Sequence, residues 1–127
     1  MFTIYSRDIS DAIPTESIPA TIAVKAGDAL VLSSGTAALA AGTNTPVYIS
    51  MASSAASDAA RQIPVIRVDK ATVYQTKLSE ASSSIAVGAK YTLAETGDSI
   101  TATTTGGVAE VVSFDGMAEG DFVRVRL

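Results

Sequence analysis

Three carboxylates crowd the segment Phe114-Asp115-Gly116-Met117-Ala118-Glu119-Gly120-Asp121. Paired carboxylates can carry out acid and base steps at a glycosidic bond or hold a divalent cation. Two glycines, short spacing and a position between two strand-like runs speak instead for a hairpin connection, and that reading outweighs a site at Asp115, Glu119 and Asp121. The chain has no His and no Cys. Imidazole bases, thiolate nucleophiles, disulfides and most zinc or copper sites are thereby excluded. Fifteen Ser and fourteen Thr are present, yet no Ser-x-x-Lys, Gly-x-Ser-x-Gly or Gly-rich phosphate loop accompanies them. They read as small residues that satisfy backbone groups in strands and loops. Gly-Asp recurs at Gly27-Asp28, Gly97-Asp98 and Gly120-Asp121, each time ahead of a β-like run. Gly supplies positive φ and Asp bonds its own backbone, so these are turns; they lack the closely spaced oxygens of a calcium loop. No catalytic residue, cofactor or metal ion is expected, and the chain is not expected to be an enzyme.

The elements that must position these residues are built from an unusual alphabet. Of 127 residues, 22 are Ala, only 6% are aromatic and Trp is absent. Such small side chains bury little area each, so stability must come from close backbone contacts or from a partner surface. A net charge of −4 and a pI near 4.6 argue against nucleic acid and anionic lipid as partners. Mean hydropathy is positive, at +0.32, and no charge falls between Asp28 and Asp58. That stretch is nonetheless broken by Ser33, Ser34, Gly35, Gly42, Asn44 and Pro46, and a membrane span needs about 20 predominantly apolar residues. With Arg7 and Asp8 near its start, no signal peptide is expected either. The expectation is a soluble chain.

Residues 1–20 read as an extended arm: Phe2, Ile4 and Tyr5 open it, and Pro14 and Pro19 forbid a helix. From Ala20 onward the pattern is β. Ile22 to Lys25, Ala29 to Leu32, Val47 to Met51, Ile63 to Val68 and Phe122 to Leu127 alternate or run as strands. In the last, Phe122, Arg124 and Arg126 face one way and Val123, Val125 and Leu127 the other. Over Ser53 to Arg61 a helical turn capped by Ser53 or Ser54 and an irregular loop both remain open, because the apolar side would be Ala alone.

Sliding the chain by 63 residues sets Ile22-Ala23-Val24-Lys25-Ala26 on Ile85-Ala86-Val87-Gly88-Ala89, Leu30 on Leu93, and Tyr48-Ile49-Ser50 on Val111-Val112-Ser113. Chance in a low-complexity chain also accounts for such matches. A genuine repeat predicts an all-β fold of small barrel or sandwich lobes: an arm at 1–20, a first β unit at 21–68, a linker at 69–82 and a second β unit at 83–127. Tyr5, Tyr48, Tyr74 and Tyr91 are spaced singly, as core or interface anchors rather than a sugar-binding shelf. Arg124 and Arg126 are open to two readings, an edge that discourages strand pairing or a contact to an acidic partner.

The order Gly-Asp-x-Leu-Val, a Gly/Thr loop, Pro-Val-Tyr-Ile-x-Met-Ala and Ile-Pro-Val-Ile-Arg-Val, from Gly27 to Val68, resembles small capsid decoration, or head-stabilisation, proteins of tailed bacteriophages. Tyr74 to Leu78, Val87 to Leu93, Ala102 to Val112 and the closing Gly-Asp-x-Val-x-Val-Arg, from Gly120 to Arg126, fit the same pattern. The resemblance covers most of 22–127 and implies a cement protein of the virion. It would sit on the outer capsid surface, bridge major capsid protein subunits and form a homo-oligomer, often a trimer. Phe2, Ile4, Tyr5 and Arg7 of the arm, with Arg124 and Arg126, are the expected partner contacts. A β-sandwich module that binds a receptor or glycan, on a phage fibre or bacterial surface, is the alternative; an exposed aromatic-lined groove would favour it.

Overall fold

The computed structural model describes residues 1–8 and 12–127, so part of the segment expected to be an arm, 9–11, lies outside the described residues. The fold is all-β: among the described residues ten strands form two five-stranded antiparallel sheets that do not close into barrels, a sandwich-like arrangement. Among the described residues no helix is long and apolar enough to cross a membrane.

The first sheet contains β2 (Thr15–Ala20), β3 (Ala29–Ser33), β4 (Thr36–Leu39), β5 (Tyr48–Ser50) and β6 (Arg61–Arg67), ordered β2-β6-β5-β3-β4. It curls until β2 meets β4 without hydrogen-bonded pairing. Ile18, Ala20, Val24, Leu30, Ala37, Tyr48, Ile63 and Val65 fill the curl. The turn from β3 to β4 carries positive φ at Ser34 and Gly35, the twist that a two-residue hairpin requires.

The second sheet contains β1 (Thr3–Arg7), β7 (Thr72–Lys77), β8 (Lys90–Tyr91), β9 (Ala109–Phe114) and β10 (Phe122–Arg126), ordered β1-β7-β10-β9-β8. Its alternation places Val123, Val125 and Leu127 in the larger core with Tyr74, Leu78, Ile85, Tyr91, Leu93, Ile100 and Val111. Each fully buried side chain of this size contributes roughly 1.5–3 kcal/mol relative to exposure. Ala29, Ala40 and Ile49, from the outer side of the first sheet, complete that core.

The two sheets repeat one strand order, β2-β6-β5-β3-β4 against β7-β10-β9-β8, with an antiparallel bridge between Leu93 and Ile100 standing where β3 meets β4. Backbone hydrogen bonds recur at a spacing of 61 residues, from Asp28 to Ala89. Asp28 N to Lys25 O matches Ala89 N to Ala86 O, and Gly27 N to Ser50 O matches Gly88 N to Val111 O. Ser50 N to Asp28 O matches Val111 N to Ala89 O, and Val47 N to Leu30 O matches Val108 N to Tyr91 O. Hence Leu30 corresponds to Tyr91 and Leu32 to Leu93, two residues from the alignment expected at 63. That larger spacing holds in the hairpin alone, where Leu32 pairs with Ala37 but Leu93 with Ile100. An error of two residues keeps every side chain on its own face, which is why the sequence match survived it.

Two expectations are corrected and one open choice is settled. The segment 69–82 is not a linker, because its residues Thr72–Lys77 form β7, flanked by β1 and β10. The described residues of the expected arm are no separate arm, since β1 pairs with β7, and β2 pairs with β6 over Thr15 to Ala20. At 53–60 the open choice resolves to a loop, and β6 opens at Arg61. There Ser54 exchanges backbone hydrogen bonds of 2.8 Å with Val24, and Ser53 Oγ accepts from Ala26 N, partners that an Ala-faced helix could not offer.

Candidate functional site

The six expected contact residues fall in three environments. Phe2 is 2% exposed and its N–H donates to Gly27 O at 2.8 Å, so it is a core residue that ties β1 across to the first sheet. Ile4 packs partly buried against the same core. Arg7 turns inward, its side chain 10% exposed, and donates to Asp69 Oδ2 at 3.1 Å and Thr72 Oγ1 at 2.9 Å.

Tyr5, Arg124 and Arg126 lie on the outer face of the second sheet. A bulge between Ile4 and Ser6 breaks the β1 register, and Tyr5 at that break is 57% exposed. The Arg124 guanidinium stands 5.0 Å from the Tyr5 ring centre. It grips Asp115 with two nitrogens, Nη2 to Oδ2 at 3.0 Å, while Nε donates to Gln75 Oε1 at 3.1 Å. Hydrogen bonding to Arg124 holds the Asp115 carboxyl below its ordinary range, and the same bond raises Arg124. Arg126 donates to Asp8 Oδ2 at 3.2 Å. Both arginines therefore have their charge paired within the chain, each with a solvent-exposed carboxylate.

Residues outside the six expected contacts add to the exposed surface here. Lys77 lies over the ring of Phe122 at 5.4 Å, and Phe122 and Met117 are both exposed. Tyr, Arg, Phe and Met are the types enriched where proteins meet. Phe122 was legible as an outward residue of the last strand; its pairing with Lys77 depends on β7, which the sequence reading took for a linker. The carboxylates read as hairpin residues are just that: Asp121 accepts from Ala118 N at 2.9 Å, and Asp115 N bonds Phe122 O across the hairpin.

A cavity of about 180 Å³ opens elsewhere, lined by Ala23, Lys25, Asp28, Leu39, Thr96 and Asp98. It unites two of the three Gly-Asp turns. Burial raises the Asp28 carboxyl, while the Lys25 N–H at 2.8 Å works against that rise. Burial also acts to raise Asp98, yet hydrogen bonds from the Thr96 and Ser99 hydroxyls hold it below its ordinary value. Both carboxylates are thus engaged by their own turns. Among the described residues no group of three or more Asp or Glu could hold a metal ion.

These elements define an all-β, sandwich-like protein of two repeated units. No family model matches the sequence, and no curated protein matches it. Among solved structures, the chain is similar to the head fibre gp8.5 N base of bacteriophage phi29, with a TM-score of 0.58 and 21% identity, covering 90% of this chain and 92% of that one. At that identity the likeness is one of fold.

Proposed function

We propose that the chain is a structural protein of a tailed-phage head that binds the outer surface of the assembled shell and stabilises it by bridging major capsid subunits. The observation that carries this reading is the fold similarity to a phage head fibre base over nearly the full length of both chains. The decoration-protein motifs between Gly27 and Arg126 support it from the sequence side. The mechanism is linkage: a protein that binds only the assembled shell stabilises that shell by mass action, without catalysis or cofactor. A homo-oligomer, a trimer in the resembled family, would multiply weak contacts into firm attachment.

The exposed Tyr5 and Phe122, each beside a cation, favour the receptor- or glycan-binding module as second reading. Co-sedimentation of the full chain with heads lacking it separates the two. The expected result is saturable binding and a higher disruption temperature of the decorated heads. Absence of binding, with retention on host cells or immobilised glycans instead, overturns the capsid reading.

A further inference from the structure

The repeat shows what covers one end of the second unit and leaves the matching end of the first unit bare. In the second unit Leu93 is 1% exposed: its N–H and C=O both pair with Gly42 of the first unit, at 2.9 and 3.0 Å. Gly97, at the tip of the same hairpin, is buried, its carbonyl accepting from Ala29 N at 2.7 Å. The corresponding Leu32 is 46% exposed, and Gly35 has nothing near it.

Strand geometry adds two free backbone groups at Leu32. Ala40 N donates to Ala29 O, and Val47 N to Leu30 O. Polar groups alternate sides along a strand, so those of Ala29 and Val31 point to β4 and those of Leu30 and Leu32 to β5. Of the β3 residues, β5 pairs with Ala29 and Leu30 and does not reach Leu32. The N–H and C=O of Leu32 thus face outward, without a strand partner among the described residues, in the direction in which Leu93 meets Gly42.

A second copy of this chain is a poor occupant. The surface that covers Leu93 and Gly97 is made of Ala29, Ala40 and Gly42, with Ile49 behind it in the shared core. At the repeat spacing Lys90 stands for Ala29 and Glu110 for Ile49, paired across β8 and β9. Docking would bury those charges against a tip with none, since no charged residue falls between Asp28 and Asp58. The neutral tip is complementary to a neutral partner.

We infer that the Leu32–Thr36 tip is a docking site for a short, extended, uncharged segment of small residues belonging to another protein, which bridges to the Leu32 backbone and covers its side chain. Resting on the capsid reading, this assigns the tip to contact with the shell subunit. Strand addition of this kind takes affinity from main-chain bonds and selectivity from the side chain beneath.

The test is co-sedimentation with heads lacking the protein, comparing the full chain with Leu32→Glu and with Val87→Glu, an exposed apolar residue at a turn of the other unit. Leu32→Glu is expected to weaken binding at least tenfold and Val87→Glu to leave it unchanged. Hydrogen exchange of the unaltered chain on heads, with the amide of Leu32 protected, gives a readout independent of the variant's folding. Equal binding by Leu32→Glu, or an unprotected Leu32 amide on bound heads, overturns the tip assignment while the capsid reading stands. Failure of the unaltered chain to bind heads overturns both. Self-association of the free chain that Leu32→Glu abolishes would give the site to a second copy and overturn the foreign partner.

Discussion

Asp69 is held by three donors: Arg7 Nη1 at 3.1 Å, the Thr72 hydroxyl at 2.7 Å and the Ala71 N–H at 3.1 Å. Burial alone would raise its carboxyl, but Thr72, Arg7 and Ala71 together hold it below its ordinary value. A depressed folded value stabilises the fold above the unfolded value, near ~3.9, and that stability is lost as pH falls through the folded one. Asp28, raised by burial, works in the opposite sense and gains as pH falls. Asp69→Asn is expected to cost about 1–2 kcal/mol at pH 7 by urea unfolding, as charged hydrogen bonds do. The gap between parent and variant should narrow toward pH 3. A gap that stays constant with pH would show that the Asp69 charge does not hold Arg7. Arg7 counts among the expected partner contacts because it lies in the expected arm. Its real partner lies 62 residues away, and a long-range pair of this kind leaves no local signal.

At the scale of the elements, alternation was enough to locate β6 and β10, because one face of each is buried and the period of two is plain, whereas β3 and β5 stood out as short apolar runs next to turn residues. β7 was missed for the opposite reason. Thr72, Val73, Tyr74 and Thr76 are all buried, so a strand flanked on both sides shows no alternation of polarity. The aligned hairpins allow a direct comparison of the two units. Gly35 and Gly97 both have positive φ, 81° and 69°, but a Cβ on Gly35 meets nothing, whereas one on Gly97 lies 3.2 Å from Ala29 O and 3.4 Å from Ala40 O. Gly35→Ala should therefore cost only the left-handed backbone penalty of roughly 1–2 kcal/mol. Gly97→Ala adds crowding against backbone that cannot give way, about another 1–3 kcal/mol. Thermal unfolding of the two variants measures the difference, and equal losses would mean that the second tip is not pressed against the first unit.

For the whole molecule, the repeat was legible in the sequence but its consequence was not, because two related units suggested two lobes with a linker. The larger core is shared instead. Phe2 crosses from the opening strand, Ala29, Ala40 and Ile49 come from the first unit, and β1 lines the outer edge of β7. Removing residues 1–68 would expose Leu93, Gly97 and the β7 edge together, and would take four buried side chains, with Ile4, Val31 and Val68 packed against them, out of a core already poor in large residues. The smaller core of the first unit draws on its own residues from Ile18 to Val65. The full chain should accordingly unfold in one calorimetric transition, with calorimetric and van't Hoff enthalpies in agreement. A fragment of residues 69–127 should show no cooperative transition of its own. A fragment that melts cooperatively near the temperature of the full chain would make the units independent lobes. It would also remove the basis for reading the buried Leu93 tip as the template for the bare one at Leu32.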